Sequence, residues 1–327
     1  MGELILVFLF SFFLTIIFSP LVFKLIKKIK ARQTILHHVK EHESKQGTPT
    51  MGGIMFIFPI IFTSMLFFKQ DYMYAIMAVV VLLAYGILGF LDDFIKIHYK
   101  QNLGLRAYQK IIGQLGISLI IAIFVYNNLG GAINIPFSSY QINIGLWIIP
   151  LIVLTYVATV NSVNLIDGMD GLCASTSISY FIAFGALIVL GINGLSGAGY
   201  FEQYNLLIVC VSTIGALFAF LFFNVFPAKI FMGDTGSLAI GGAVASVAIL
   251  SNNILYLPLF GFVYVVTAVS DIIQVAYYKK TKKRVFKMAP LHHHFQMSGF
   301  HENKIVFAYF VISFILNSIF FALSILS

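Results

Sequence analysis

Five aspartates, Asp92, Asp93, Asp167, Asp170 and Asp234, stand where long apolar stretches of a 327-residue chain give way to short polar loops. Carboxylates at the edge of an apolar segment are costly to desolvate, so a group of them marks a functional site by default. Asp92 and Asp93 are adjacent and repel each other unless a cation or a shared proton relieves them. The C-terminal end of a helix disfavours acids, and Lys96 lies within helical reach of both, with Lys100 and Lys110 further along. Asp167 and Asp170 are three residues apart, each followed by glycine, and on a helical turn they would face one point. Their spacing and the missing bidentate glutamate fail the EF-hand pattern, which leaves ribose, base or a metal-bound phosphate as ligands. Asp234, flanked by Gly233 and Thr235-Gly236, opens a small-residue segment, and magnesium prefers one or two such carboxylates together with substrate phosphates.

Two further strings carry donors. Lys45 precedes Gly47-Thr48-Pro49-Thr50-Met51-Gly52-Gly53, where free backbone N–H groups at a helix mouth plus a cation suit a diphosphate. Taken alone, that string reads more simply as a capped turn. Ala289-Pro290-Leu291-His292-His293-His294-Phe295 is the most distinctive. Three consecutive side chains cannot all point one way from a helix, which argues against a metal tripod and for one or two rings donating to a phosphate or nucleotide. A surface histidine cluster without a role is the competing reading.

The elements that must position these groups are membrane spans. Hydrophobic residues make up 60% of the chain, charged residues 10%, and mean hydropathy is +0.95. The expected fold is all-α and polytopic, a single integral membrane domain over 1–327. Ten spans of about 20 residues are predicted near 4–26, 51–68, 73–91, 111–127, 145–163, 172–191, 205–223, 236–251, 254–277 and 305–326. The first lacks a charged leader and reads as a retained helix, with no soluble domain before or after the spans. Threading puts nineteen of the twenty Lys and Arg residues, the five aspartates named above and all eight histidines on one side, with Lys69 the one cation opposite. The positive-inside rule makes that side cytoplasmic and both termini external. Ile133, Ile135, Ile142 and Ile144 alternate around Pro136 to Tyr140 and predict a small β-hairpin on the outer side. Cys173 and Cys210 fall inside spans and form neither a disulfide framework nor a zinc spacing. A net charge of +8 suits an anionic partner at the bilayer, lipid headgroup or phosphorylated substrate. Short basic loops against the bilayer, without interleaved aromatics, argue against nucleic acid.

Together the strings resemble the polyprenyl-phosphate N-acetylhexosamine-1-phosphate transferases, and among them phospho-N-acetylmuramoyl-pentapeptide transferase. The resemblance is carried in order by Lys45-x-Gly-Thr-Pro-Thr-Met-Gly-Gly, Asp92-Asp93, Gly104-Leu105 with Lys110, Asn164-Leu-x-Asp167-Gly-x-Asp170-Gly, Asn224 with Phe231-Met-Gly-Asp234-Thr-Gly, and Met288-Ala-Pro-Leu-His-His-His-Phe. It implies transfer from UDP-N-acetylmuramoyl-pentapeptide to undecaprenyl phosphate in the bacterial plasma membrane, giving lipid I and UMP with Mg2+ and leaving a homodimer open. The three-histidine string favours this member over relatives that take UDP-N-acetylglucosamine. A transporter of a phosphorylated lipid or sugar is the rival of another class, but it would place ionisable groups near the bilayer midplane. The resemblance implies Asp234 as the Mg2+ ligand, and Asp92 and Asp93 at the acceptor phosphate or as base. It implies Thr50 among the substrate-binding residues, and Lys45, Lys96, Lys110 and His292, His293 and His294 at phosphates. Asn164, Asp167, Asp170, Asn224 and Phe231 would line the nucleotide pocket.

Overall fold

The computed structural model describes residues 2–28, 47–99, 104–192 and 195–326. Lys45 and Lys100 lie outside the described residues. The chain is almost wholly helical: α1 (Gly2–Lys28), α2 (Ile54–Phe67), α3 (Met73–His98), α4 (Ala107–Leu129), α5 (Ile148–Ile166), α6 (Leu172–Ile192), α7 (Gly197–Asn224), α8 (Gly233–Leu250), α9 (Leu257–Phe260), α10 (Phe262–Thr281), α11 (Leu291–Gln296) and α12 (Glu302–Leu326). Among the described residues, eight helices are long and apolar enough to cross a membrane: α1, α3, α4, α5 with the turn before it, α6, α7, α8 and α12.

Two of the ten expected spans take another form. The second is a helix of only 14 residues, about 21 Å long, because the chain ahead of it is extended and turns at Met51, whose φ is 68°. The ninth is broken, α9 and α10 meeting at 77°. Gly261 sits at the break, where a Cβ would lie 2.7 Å from the Leu257 carbonyl and 3.0 Å from the Tyr264 ring.

Small residues decide what lies in the middle. The helix α8 is nearly all Gly, Ala, Ser and small aliphatics and is buried along its length. Gly241 lets the Val160 backbone of α5 approach, and Gly242 lies under the Tyr85 ring of α3. Close backbone approach of this kind is how helices associate where lipid removes the hydrophobic drive. Tyr85 stacks on Tyr156, whose hydroxyl lies 2.9 Å from Ser246 Oγ of α8. Outside this centre, α1, α4 and α12 turn large apolar side chains such as Ile17, Ile120 and Phe307 outward, as lipid-facing helices do.

Polar contacts gather at two opposite ends. At one end Lys69 pairs with Glu3, Tyr204 donates to Glu3, and Glu202 accepts the N–H groups of Met73 and Tyr74 that open α3. The predicted hairpin lies at this end: β1 (Ala132–Asn134) and β2 (Gln141–Asn143) are antiparallel with Ile133 opposite Ile142. It is tied to the end of α8 by Asn134 N–H donating to the Asn252 carbonyl. The other end collects the C-termini of α3, α5, α7 and α10 and the N-termini of α4, α8 and α12, and it holds the acidic loops.

Candidate active site

The end of α3 and the start of α8 build the centre of the site. Gly89 is what allows the two helices to touch, since a Cβ there would overlap the Asp234 backbone carbonyl. That approach brings carboxylate oxygens of Asp92, Asp93 and Asp234 within 4.8 Å of one another, a group that could hold a metal ion. The adjacent acids do different things. Asp93 is buried and accepts the backbone N–H groups of Asp234 (3.3 Å) and Thr235 (2.9 Å) and the Thr235 hydroxyl (2.7 Å). It caps the N-terminus of α8 from a neighbouring helix, satisfying donors that have no intrahelical partner. Asp92 accepts the Leu105 N–H at 2.9 Å, which folds the chain ahead of α4 over it, with Gly104 close against the carboxyl group.

Two lysines answer the repulsion foreseen for the pair. Lys96 Nζ lies 2.6 Å from Asp92 Oδ2 and 2.9 Å from Asp234 Oδ2. Lys110 Nζ donates to the same Asp234 oxygen at 2.8 Å. Asn164 Nδ2 donates to Asp234 Oδ1 at 2.7 Å and to Ser237 Oγ at 2.8 Å. Three carboxylates facing two ammonium groups leave one negative charge, and all the donors are oxygens, so the cluster fits a hard divalent cation.

The 47–53 segment docks on the loop before α8. Phe231 N–H donates to the Pro49 carbonyl and its own carbonyl accepts from Gly52 N–H, both at 2.8 Å. Gly233, at φ 71°, completes the convergence: a Cβ there would lie 2.6 Å from Asp93 Oδ2 and 2.9 Å from Thr50 Oγ1. Thr50 and Phe231 are thereby brought to the acidic cluster.

The loop between α5 and α6 departs from expectation. Asp167 ends α5 with φ −76° and ψ 40°, so the chain leaves the helix there and Asp167 and Asp170 do not sit on one helical turn. Asp170 is buried and accepts the Ala228 N–H at 3.0 Å, and its own N–H donates to Glu302 at 2.7 Å. Asn224 is buried as well, Oδ1 accepting from Gly171 N–H and Nδ2 donating to the Ile230 carbonyl. Both ends of the Asn224 amide thus join the two loops.

The three histidines separate as the helix requires. In α11, a Cβ on Gly168 would meet His292 Nε2 at 2.6 Å and His293 Nε2 at 2.8 Å, so two rings converge on the Asp167-to-Asp170 loop. His294 turns away and accepts the Lys287 N–H through Nδ1. His293 Nδ1 lies 3.1 Å from Gln296 Oε1. His292 is fully buried, and neither of its ring nitrogens has a hydrogen-bond partner. Burial, and next the neighbouring His293, hold its pKa down at about 3.

Glu302 escaped the sequence reading because an acid in the first turn of a helix is ordinary; only the tertiary fold shows it under Asp170. Thr235 and Ser237 lay inside a recognised string without a role of their own.

Residues 73–252 match the model of glycosyl transferase family 4, and residues 45–57 match signature 1 of phospho-N-acetylmuramoyl-pentapeptide-transferase. The chain is 44% identical over 315 residues to the phospho-N-acetylmuramoyl-pentapeptide-transferase of Geobacillus sp. (strain WCH70), covering 94% of each. It is 40% identical over 317 residues to the protein of that name from Clostridioides difficile (strain 630), 96% of this chain and 95% of the relative. With the one from Clostridium botulinum (strain Eklund 17B / Type B) it shares 42% over 309 residues, 94% of this chain and 92% of the relative. Identity at that level along nearly the whole length of both chains, with the signature on the segment that docks against the acidic cluster, places this membrane protein in the phospho-N-acetylmuramoyl-pentapeptide-transferase family.

Proposed function

We infer that the chain transfers phospho-N-acetylmuramoyl-pentapeptide from its UDP carrier to undecaprenyl phosphate in the bacterial plasma membrane, releasing UMP and forming lipid I. The observation that carries this is the 40–44% identity to proteins of that name over more than nine-tenths of the chain. The site chemistry agrees with it. Two phosphorylated substrates must be held together against their mutual repulsion, and a cluster of carboxylates and lysines that fits a divalent cation is suited to that task.

An oxygen of the acceptor phosphate attacks the phosphorus that carries the sugar. The bond from that phosphorus to the oxygen bridging to UMP breaks, and UMP leaves with the electron pair. A lipid phosphate is already a nucleophile near neutral pH, so attack is direct and positioning supplies much of the rate. Asp234, with Asp92 beside it, would hold Mg2+, which when bound would offset the charge of the phosphates. Lys96 and Lys110 add positive charge at the same point, and Lys45 is assigned to a phosphate by its place in the matched signature. Thr50, Asn164, Asp167, Asp170 and Phe231 line the nucleotide pocket, with His292 and His293 facing the phosphates from α11. Asp93, occupied by the backbone N–H groups of Asp234 and Thr235 and the Thr235 hydroxyl, and Asn224, occupied by backbone groups, shape the pocket from behind.

The site faces the cytoplasm, because threading the apolar segments back and forth puts nineteen of the twenty Lys and Arg residues of the sequence on the side of the acidic loops. Counting α2 and the bent α9–α10 pair as crossings gives ten, with both termini outside. An impermeant maleimide added to intact cells should label a cysteine at position 69 and spare one at 293; the reverse pattern would invert the topology.

Purified protein given undecaprenyl phosphate and Mg2+ should release UMP from UDP-N-acetylmuramoyl-pentapeptide and little from UDP-N-acetylglucosamine. Preference for the second donor would make it a sibling transferase, and UMP from neither would contradict transfer altogether.

A further inference from the structure

We propose that Gln114 is a positioning residue of the transfer site, acting through a reciprocal amide pair with Asn161 that sets the register of α4 against α5. The helix α4 is peripheral: Ile112, Leu115, Leu119 and Ile120 point outward, and its buried stripe is Gln114, Ser118, Ile121, Ala122 and Val125. The first of these is a glutamine with no exposed surface, a costly residue to bury unless its amide is matched. Asn161 matches it. Its Nδ2 donates to Gln114 Oε1 at 2.7 Å, and Gln114 Nε2 donates back to Asn161 Oδ1 at 3.3 Å. Asn161 is itself fixed by a second donation to the Val157 carbonyl at 2.7 Å.

The spacing ties this pair to the acidic cluster. Lys110 stands four residues before Gln114, and Asn164 three residues after Asn161, each on the same face of its helix. Lys110 Nζ and Asn164 Nδ2 grip the two oxygens of Asp234, one from each helix, at 2.8 and 2.7 Å. The amide pair lies one turn deeper and fixes the height of the two gripping groups relative to each other. Apolar contact between α4 and α5 would hold the helices together without choosing a register, whereas two directional hydrogen bonds choose one. A slip of one residue moves Lys110 along its axis by about 1.5 Å, and a misplacement of about 1 Å is enough to cost roughly 100-fold in rate.

The activity arm of the test rests on the transfer reaction inferred above; the other arm does not. In Gln114→Leu, the kcat for UMP release should fall roughly 10- to 100-fold with the donor KM little changed. Asn161→Leu and the double variant should lose about as much as the single variant, since all three break one pair. The swap Gln114→Asn/Asn161→Gln should recover much of the rate. Independently of turnover, brief reductive methylation read by peptide mass spectrometry should modify Lys110 faster in Gln114→Leu than in the wild type, while Lys96 on α3 stays as it was. Unchanged Lys110 labelling, a parallel rise at Lys96, or additive losses in the double variant would overturn the proposal. If Gln114→Leu does not fold, Asn161→Leu breaks the pair from the other side with the same expected labelling. If the wild type releases no UMP, the transfer reading fails and the labelling alone decides the role of Gln114.

Discussion

Asp93 and Thr235 are joined twice: the backbone N–H and the hydroxyl of Thr235 both donate to Asp93 Oδ2, at 2.9 and 2.7 Å. An acid that sequence pairs with Asp92 is structurally part of the α8 N-terminus. Asp93→Ala should therefore act on folding as well as on turnover. It strands buried donors at Asp234 and Thr235, each costing about 1–3 kcal/mol, so the melting temperature in detergent should fall clearly. A normal melting temperature with lost activity would assign Asp93 to chemistry instead of capping.

Gly168 is the point on which two imidazoles converge. A methyl group there would lie 2.6 Å from His292 Nε2 and 2.8 Å from His293 Nε2, closer than carbon and nitrogen can approach. Gly168→Ala should push α11 from the Asp167-to-Asp170 loop and lower UMP release by roughly 100-fold, with the protein still folded. Wild-type rates would mean that the rings can step aside without consequence.

His292 supplies a pH dependence with a definite sign. Its pKa is held at about 3 against an ordinary 6.5, by burial first and by His293 second. Below pH 6.5 the unfolded chain takes up a proton that the folded protein refuses. Stability is thus unaffected above that pH and declines as pH falls toward 3, by at most about 1.4 kcal/mol per unit. Melting temperatures followed from pH 7.5 to about 4.5 should drop more steeply for the wild type than for His292→Gln. Equal slopes would show that His292 is not kept neutral by its surroundings.

Much of this was legible in the sequence, and the exceptions share a cause. Hydropathy found the spans, and isoleucine alternation found the hairpin, since both patterns are local. It counts apolar residues without their direction, so the short α2 and the break at Gly261 did not register. That the acidic loops share one side was legible from threading, but the contact of Asp92 and Asp93 with Asp234 was not, because that depends on Gly89 letting α3 meet α8. Asp167 and Asp170 were read onto one helical turn, yet α5 ends at Asp167, and Asp170 is held by Ala228 and Glu302 from distant parts of the chain. Glu302 and Gln114 carry no local signal at all; an acid at a helix start and a glutamine in a helix are each unremarkable until the partner is known.

In the proposed transfer the reaction runs at Asp234, gripped by Lys96, Lys110 and Asn164. The most direct test is UMP release by purified wild type and Asp234→Asn, side by side, across a range of Mg2+ concentrations. Asp234→Asn should remain folded, because Lys96 keeps Asp92 and Asp93 as partners. Its turnover should fall by several orders of magnitude, and added Mg2+ should not restore it. Near-normal turnover with an unchanged Mg2+ requirement would place the metal and the reaction away from Asp234.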